Sequence, residues 1–378
     1  MASLAAVVRD GTLGATPWLP WDRRFGLRSI DAELLTTAMG GQVRGARLDH
    51  VEVIPDSEGT TDRARLQLVW NAVGTAAGLP TTAFAKGTPS RVQPRILNAA
   101  FGLCGTEVQF YNTVQPELAT ITLRPYLARL GTGGRFLIVL EDKGPDTTFY
   151  RPWDFGSIEH AEAIIDVLAR MHGAFYTSPR FDRDLAWVTT YRGRPGQVLA
   201  PKVMALAEKR FMRRDGVPDA VRRLTRLHLA NGDALWRVWE SLPPTLCHGD
   251  SHIGNTYRDA DGTSGLFDWQ VVHKMNGRRE VAYFIAWALR PEDRRVHERR
   301  LVERYLDGIA EHGVGSETPS LADGFDLYRL MMVDAWTSLW ATLGIGGMDN
   351  PGEAELLLDR FYTLLLDLDV EAAVRHAL

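Results

Sequence analysis

An aspartate, an asparagine five residues later and a second aspartate eighteen residues after the first stand in His248-Gly249-Asp250-Ser251-His252-Ile253-Gly254-Asn255 and its continuation Phe267-Asp268-Trp269. That set suits phosphoryl transfer to a hydroxyl. One carboxylate, Asp250, would take the acceptor's proton, while Asn255 and Asp268 would hold magnesium, a hard cation that takes oxygen ligands. Asp250 follows the apolar Leu246-Cys247, where a strand gives way to a polar loop of the kind that carries function. Asp268 closes the apolar run Gly265-Leu266-Phe267, a costly place for a carboxylate unless it is paired or metal-bound. Each residue alone has a plainer account, as a turn aspartate, a cap or a salt-bridge partner. The spacing of all three argues for chemistry.

Other residues of the same stretch have lesser claims. His248 and His252 lack the spacing of a zinc pair with a third ligand. His248 is expected to fix the loop by hydrogen bonds, and His252 either does the same or approaches the metal–phosphate region. Lys86 ends an apolar strand, and Glu107 lies 21 residues later on a helical stretch. Such a pair can hold the α- and β-phosphates of a nucleotide. Ser57-Glu58-Gly59-Thr60-Thr61 falls between the first two expected strands, where a nucleotide-covering loop belongs. It has one glycine rather than three, so the contacts would come from the amides and hydroxyls around Ser57, Gly59 and Thr60. An ordinary hairpin turn is the plainer reading.

These residues need elements to hold them. Arg47–Pro55 reads as a strand, Asp56–Thr61 as a polar turn, and Arg63–Trp70 as a half-buried strand with Ala64, Leu66, Leu68 and Trp70 in period two. Thr81–Lys86 and Phe136–Leu140 are further strands. Residues 30–39 are expected to be helical, ended by Gly40-Gly41. Residues 96–113 are expected to form one helix, with Leu97, Phe101, Cys104, Val108 and Tyr111 at spacings of three and four. Glu141–Pro145 is the best candidate for a hinge between two lobes. Ser157 caps a helix to about Tyr176, with Ile164, Ile165, Leu168, Met171 and Phe175 as its apolar stripe. Two or more helices occupy 198–241, short strands and loops 246–272, and helices 280–378. Residues 1–30 are mixed, and Pro17-Trp18-Leu19-Pro20-Trp21 suggests an irregular arm.

Composition narrows the class. The 378 residues suit two lobes with a large core. A hydrophobic content of 45% and a charged content of 24% are those of a soluble globular protein. A net charge of −4 gives no reason to expect nucleic acid as a partner. Two cysteines make neither a disulfide framework nor a cysteine-rich zinc site. With no signal-like segment and no apolar run long enough for a membrane span, the expectation is a cytoplasmic protein without a membrane partner. The P-loop, zinc-protease and serine-hydrolase motifs are absent.

The chain resembles the aminoglycoside phosphotransferase and choline kinase superfamily, most closely its ecdysteroid-kinase-like branch. The resemblance rests on Glu58–Ala64, Phe84-Ala85-Lys86, Glu107 with Phe110-Tyr111, Leu140-Glu141-Asp142, His248-Gly249-Asp250 and Asp268-Trp269-Gln270, in that order, over roughly residues 45–310. It implies an α+β, bilobal, protein-kinase-like fold. A small N-terminal β-sheet lobe with one key helix, residues 1–140 including an arm over about 1–30, would bind nucleotide. A larger, mainly helical lobe, 141–378, would carry the catalytic loop and the acceptor site. The implied cofactors are ATP and Mg2+. Asp250 would be the base, Asn255 and Asp268 the metal ligands, Lys86 and Glu107 the phosphate-positioning pair, and the backbone of Leu140, Glu141 and Asp142 the adenine contacts. In the run Arg279-Glu280-Val281-Ala282-Tyr283, Glu280 stands where the family usually has Asp, which puts in question the support that position gives the catalytic loop.

The acceptor is left open. Trp287, Phe325, Tyr328, Trp336 and Trp340 offer the wall of an apolar pocket, or plain core packing. Residues 323–378 set ten acids against three arginines, which favours a cationic acceptor or is simply a solvated face. An amino sugar, an amino alcohol and an apolar polycyclic alcohol are therefore the candidate acceptors. The basic stretch Lys209–Arg226 reads as an exposed helix face. Two rival readings are a kinase-like nucleotide-binding or interaction module that has lost catalysis, and a protein kinase. The intact Asp250, Asn255, Asp268 and Lys86 oppose the first. Glycine instead of arginine after His248, the single-glycine loop and the lack of Ala-Pro-Glu after Asp268 oppose the second.

Overall fold

The structure, a computed structural model, describes residues 4–16, 24–58, 61–194, 196–345 and 351–378. The Pro17–Trp21 cluster, Gly59 and Thr60 lie outside them. By contacts the chain divides into two units, one comprising Met1–Asp146, Gly193–Val198 and Asp268–Val271, the other Thr147–Arg192, Leu199–Phe267 and Val272–Leu378.

The first unit is built on an antiparallel sheet of β1 (Leu48–Glu58), β2 (Asp62–Trp70), β3 (Thr82–Gly87), β4 (Pro125–Leu130) and β5 (Phe136–Leu140), in the order β1-β2-β3-β5-β4. In β2, Ala64, Leu66, Leu68 and Trp70 are buried and alternate with exposed residues, as period two requires. Leu66, Leu68 and Trp70 form the core on one face with Leu35, Ala83, Ala85, Leu137 and Val139. β1 and β2 are longer than expected and leave a shorter turn, since Glu58 already pairs with Asp62.

The unit's helices are α1 (Leu4–Ala15), α2 (Ala32–Leu35), α3 (Ala72–Ala76), α4 (Val92–Phe101) and α5 (Leu103–Thr113). α1 lies against α4, where the sequence showed only a mixed stretch. Asp31 caps α2 by accepting from the Leu34 amide, and a π-helical turn over Thr36–Gly40 completes the expected helix. The single helix expected over 96–113 is corrected to two, α4 and α5. Gly102 separates them at φ 65°, a left-handed conformation that glycine adopts without the Cβ penalty of other residues. Leu97, placed on the apolar stripe, is largely exposed, whereas Cys104, Val108 and Tyr111 on α5 are buried.

The second unit is mainly helical: α6 (Ile158–Ala174), α7 (Ala200–Phe211), α8 (Asp219–Ala230), α9 (Gly232–Glu240), α10 (Arg278–Ala288), α11 (Pro291–Ile309), α12 (Leu321–Ile345), α13 (Pro351–Asp367) and α14 (Val370–Ala377). Ser157 caps α6 through the His160 amide, and its stripe Ile164, Ile165, Leu168 and Met171 is fully buried. Two small sheets complete the unit. β7 (Thr245–Cys247) pairs with β10 (His273–Met275), and β8 (Thr256–Arg258) lies between β6 (Thr148–Phe149) and β9 (Ser264–Leu266). No helix among the described residues is long and apolar enough to cross a membrane.

Candidate active site

In the first unit, three distant segments bring their charges together. Lys86, near the end of β3, sits 2.8 Å from Glu107 of α5 and 3.0 Å from Asp268. The Lys86 and Glu107 side chains are almost fully buried. Burial works against the Lys86 ammonium, but Asp268 and Glu107 outweigh it and hold its pKa above the usual lysine value. Burial raises the Glu107 carboxyl, with Lys86 pulling the other way. Asp268 adopts φ 69°, a left-handed conformation that is rare outside glycine and that aspartate tolerates better than most. The next residue, Trp269, lies flat on Phe110, with ring centroids 3.8 Å apart and planes 7° from parallel. Because Phe110 follows Glu107 by one turn of α5, the Asp268 and Glu107 segments share an apolar support.

Other residues expected at the nucleotide are in the same unit. Leu140 ends β5 in the core. The Glu141 amide donates to the Arg124 carbonyl at 2.8 Å, and its carboxylate accepts from the Arg124 amide. Asp142 pairs with Arg65 at 2.9 Å. Ser57 belongs to the backbone of β1.

In the second unit, β7 delivers the chain into the loop His248–Asn255. Gly249 takes φ 92°, where a side chain would be strained. The imidazole of His248 donates from Nε2 to the Phe267 carbonyl at 2.9 Å and accepts the Asp250 amide at Nδ1, which sets its tautomer. Tyr283 of α10 donates to Asp250 Oδ1 at 2.8 Å. Asn255 spends its NH2 on the Asp250 carbonyl at 2.7 Å and on Oδ2 at 3.3 Å. Its own amide oxygen is then the atom to offer a cation. His252 Nε2 is 3.5 Å from Asp250 Oδ2 and its ring lies 5.5 Å from that of Trp287. The Asp250 side chain is still 40% exposed.

Beneath this loop is a buried frame. Both oxygens of Glu280 accept backbone amides of the loop, His248 and Gly249, each at 2.7 Å. Glu280 also meets His172 of α6 at 3.1 Å, and His172 meets Tyr305 at 3.0 Å. Burial alone would raise the Glu280 carboxyl, yet its bond to His172 and the nearby charges bring its pKa down to about 2. The longer side chain at this position therefore grips both amides. Arg279 binds the Gly249 carbonyl and pairs with Asp334 at 2.6 Å.

The structure brings Lys86, Glu107 and Asp268 together, and separately Asp250, His252 and Asn255. Sequence reasoning missed the roles of Tyr283 and His172; the His172–Glu280 contact spans 108 residues and leaves no local pattern. The aromatic wall changes character. Tyr328, Trp336 and Trp340 are fully buried core residues, with Tyr328 bonded to Glu298 and Trp336 to Thr225. Trp287 stands beside the motif. In the acidic C-terminal region, Asp334 and Asp367 are paired with arginines. Cys104 and Cys247 are buried free thiols whose pKa burial raises.

Within the first unit the Asp268 carboxylate, and within the second the Asn255 amide oxygen, are each a donor of the hard type that magnesium takes.

A model of the phosphotransferase enzyme family matches residues 138–314. No curated protein matches the chain. Among solved structures, a choline kinase from Cryptosporidium parvum is similar at 10% identity, with 87% of this chain and 92% of that one covered and a TM-score of 0.53. An ethanolamine kinase from Plasmodium vivax is similar at 11% identity, with 87% and 84% covered and a TM-score of 0.52. A GDP complex of an aminoglycoside 2′-phosphotransferase follows at 9% identity, with 89% and 98% covered and a TM-score of 0.50. None of these distinguishes the ecdysteroid-kinase-like branch. The family model thus matches residues 138–314, and the fold of the chain is similar to that of these solved kinases.

Proposed function

We propose that the protein is an ATP- and Mg2+-dependent phosphotransferase acting on a hydroxyl of a small molecule. The carrying observation is Asp250, held by Tyr283 and Asn255 on a loop clasped by Glu280, with its carboxylate still open. Asp250 Oδ2 takes the acceptor's proton as the hydroxyl oxygen bonds to the γ-phosphorus, and the bond from that phosphorus to the β-phosphate oxygen breaks to release ADP. Tyr283 and Asn255 keep that carboxylate aimed, because positioning supplies much of the rate in this chemistry. Asn255 and Asp268 are the metal ligands, and magnesium, when bound, neutralises charge on the phosphates. Lys86, braced by Glu107, holds phosphate oxygens, and the backbone of Leu140–Asp142 holds adenine. In this reading residues 1–140 serve the nucleotide and 141–378 the acceptor. His252 is partly exposed beside the base, with the buried rings of Trp287 and Tyr283 behind it, and the candidate acceptors are an amino sugar, an amino alcohol and a polycyclic alcohol. The test is an ATP-consumption screen over these three classes with mass-spectrometric detection, on wild type and Asp250→Ala. A phosphorylated product from wild type alone supports the reading. Equal turnover by the variant removes it.

A further inference from the structure

Arg63 of β2 and Lys86 of β3 are direct cross-strand partners, so their side chains leave the same face of the sheet. Like charges in that position repel and persist only where anions hold them. Glu107 and Asp268 are those anions, and the four charges cancel. They are not held alike. Lys86 is buried between two carboxylates at 2.8 and 3.0 Å. The Arg63 side chain is 34% exposed and lies 3.6 Å from Asp268, its one ion pair among the described residues. Its further contact is the Thr61 hydroxyl at 3.3 Å.

If Asp268 turns its oxygens to a divalent cation, Lys86 keeps Glu107, whereas Arg63 loses its anion. A planar guanidinium left in that state is matched to the oxygens of a phosphate. We propose that Arg63 is a second phosphate-binding residue, which leaves Asp268 for the terminal phosphates of the nucleotide. This rests on the nucleotide-dependent function proposed above and extends it. The arrangement makes the carboxylate a placeholder. It keeps two facing cations in position before the polyphosphate arrives, and the polyphosphate then replaces it.

The test titrates the full chain with fluorescent mant-ATP, mant-ADP and mant-AMP, with and without Mg2+. Arg63→Gln is expected to weaken mant-ATP roughly 10- to 100-fold, the worth of a hydrogen bond to a charged group. Its affinity for mant-AMP is expected to stay unchanged. Arg63→Lys recovers part of the loss, since an ammonium supplies the charge without the fork. The nucleotide-free melting temperature of Arg63→Gln should hold or rise, because a repulsive neighbour of Lys86 is gone. A residue serving only to hold the sheet would lower it. Wild-type affinity for mant-ATP in Arg63→Gln overturns the assignment, as does tighter binding, which would make Arg63 a competitor for Asp268. A wild type that binds none of the three nucleotides instead overturns the function on which the assignment rests.

Discussion

The two charged clusters hold their key carboxylates in opposite ways. Asp268 is surrounded by cations: Lys86, and at longer range Arg63. Asp250 is held by neutral donors, the Tyr283 hydroxyl and the Asn255 amide. The first cluster is a balance of charges from distant segments, which an incoming charge can redistribute. The second is a loop tied through its backbone, where Glu280 accepts the two amides flanking the turn. A group that must exchange partners during a cycle suits the first kind of support. A group that must keep one direction suits the second.

The sharpest test of that contrast is Asp250→Ala, which should cut turnover by roughly 10²- to 10⁴-fold, the range of a positioned general base. Nucleotide affinity, measured by titration, should be unchanged. A parallel loss of affinity would show that the two clusters are not separable. Next comes the frame under the loop. Glu280→Ala leaves two buried amides without an acceptor and should cost about 3–5 kcal/mol of stability in urea unfolding, as for a broken buried ion pair. An unchanged midpoint would mean that the loop is held some other way. Asp268→Asn should weaken ATP roughly tenfold in the presence of Mg2+, about the worth of one charged contact. In the absence of metal it should have little effect. Equal losses with and without Mg2+ would take Asp268 out of the metal site.

The last test is a titration, which leaves both clusters intact. His160 on α6, bonded to the Thr256 and Ser264 hydroxyls, is desolvated and its pKa falls to about 4. The unfolded chain binds this proton more readily. Stability from neutral His160 is therefore complete above its ordinary value of 6.5 and is lost as pH falls from there towards 4. Glu280, whose pKa is also lowered, acts in a more acidic window, with stability lost as pH falls from about 4.5 towards 2. Melting curves of His160→Gln should flatten the first window and leave the second. Loss of both windows would tie the two groups into one network.

What was legible followed from locality. β2 announced itself because alternate residues face one core, and α6 because Ser157 and its stripe lie within one segment. The grouping of Asp250 with Asn255 was legible because six consecutive residues carry it. β4 was missed because it is an edge strand that starts at a proline and is half exposed, pairing with β5 on one side only. The break at Gly102 was missed because Phe101 and Cys104 keep helical spacing across it. Glu280 was noticed through the resemblance, but its grip on both amides needed coordinates. Arg63 falls within the Glu58–Ala64 run of the resemblance, but its place opposite Lys86 across two strands leaves no mark in either segment.

The first unit is not one length of chain. Its contacts take in Asp268–Val271, more than a hundred residues past the stretch that ends at Asp146. A gene fragment stopping near Asp146 would encode the five-stranded sheet and α5 but not Trp269, so the face of Phe110 would be bare. Such a fragment would also bring Lys86 to Glu107 without the third charge. It should express poorly and tend to self-associate, and a fusion joining this sheet to a foreign C-terminal partner would have to supply a substitute for those four residues.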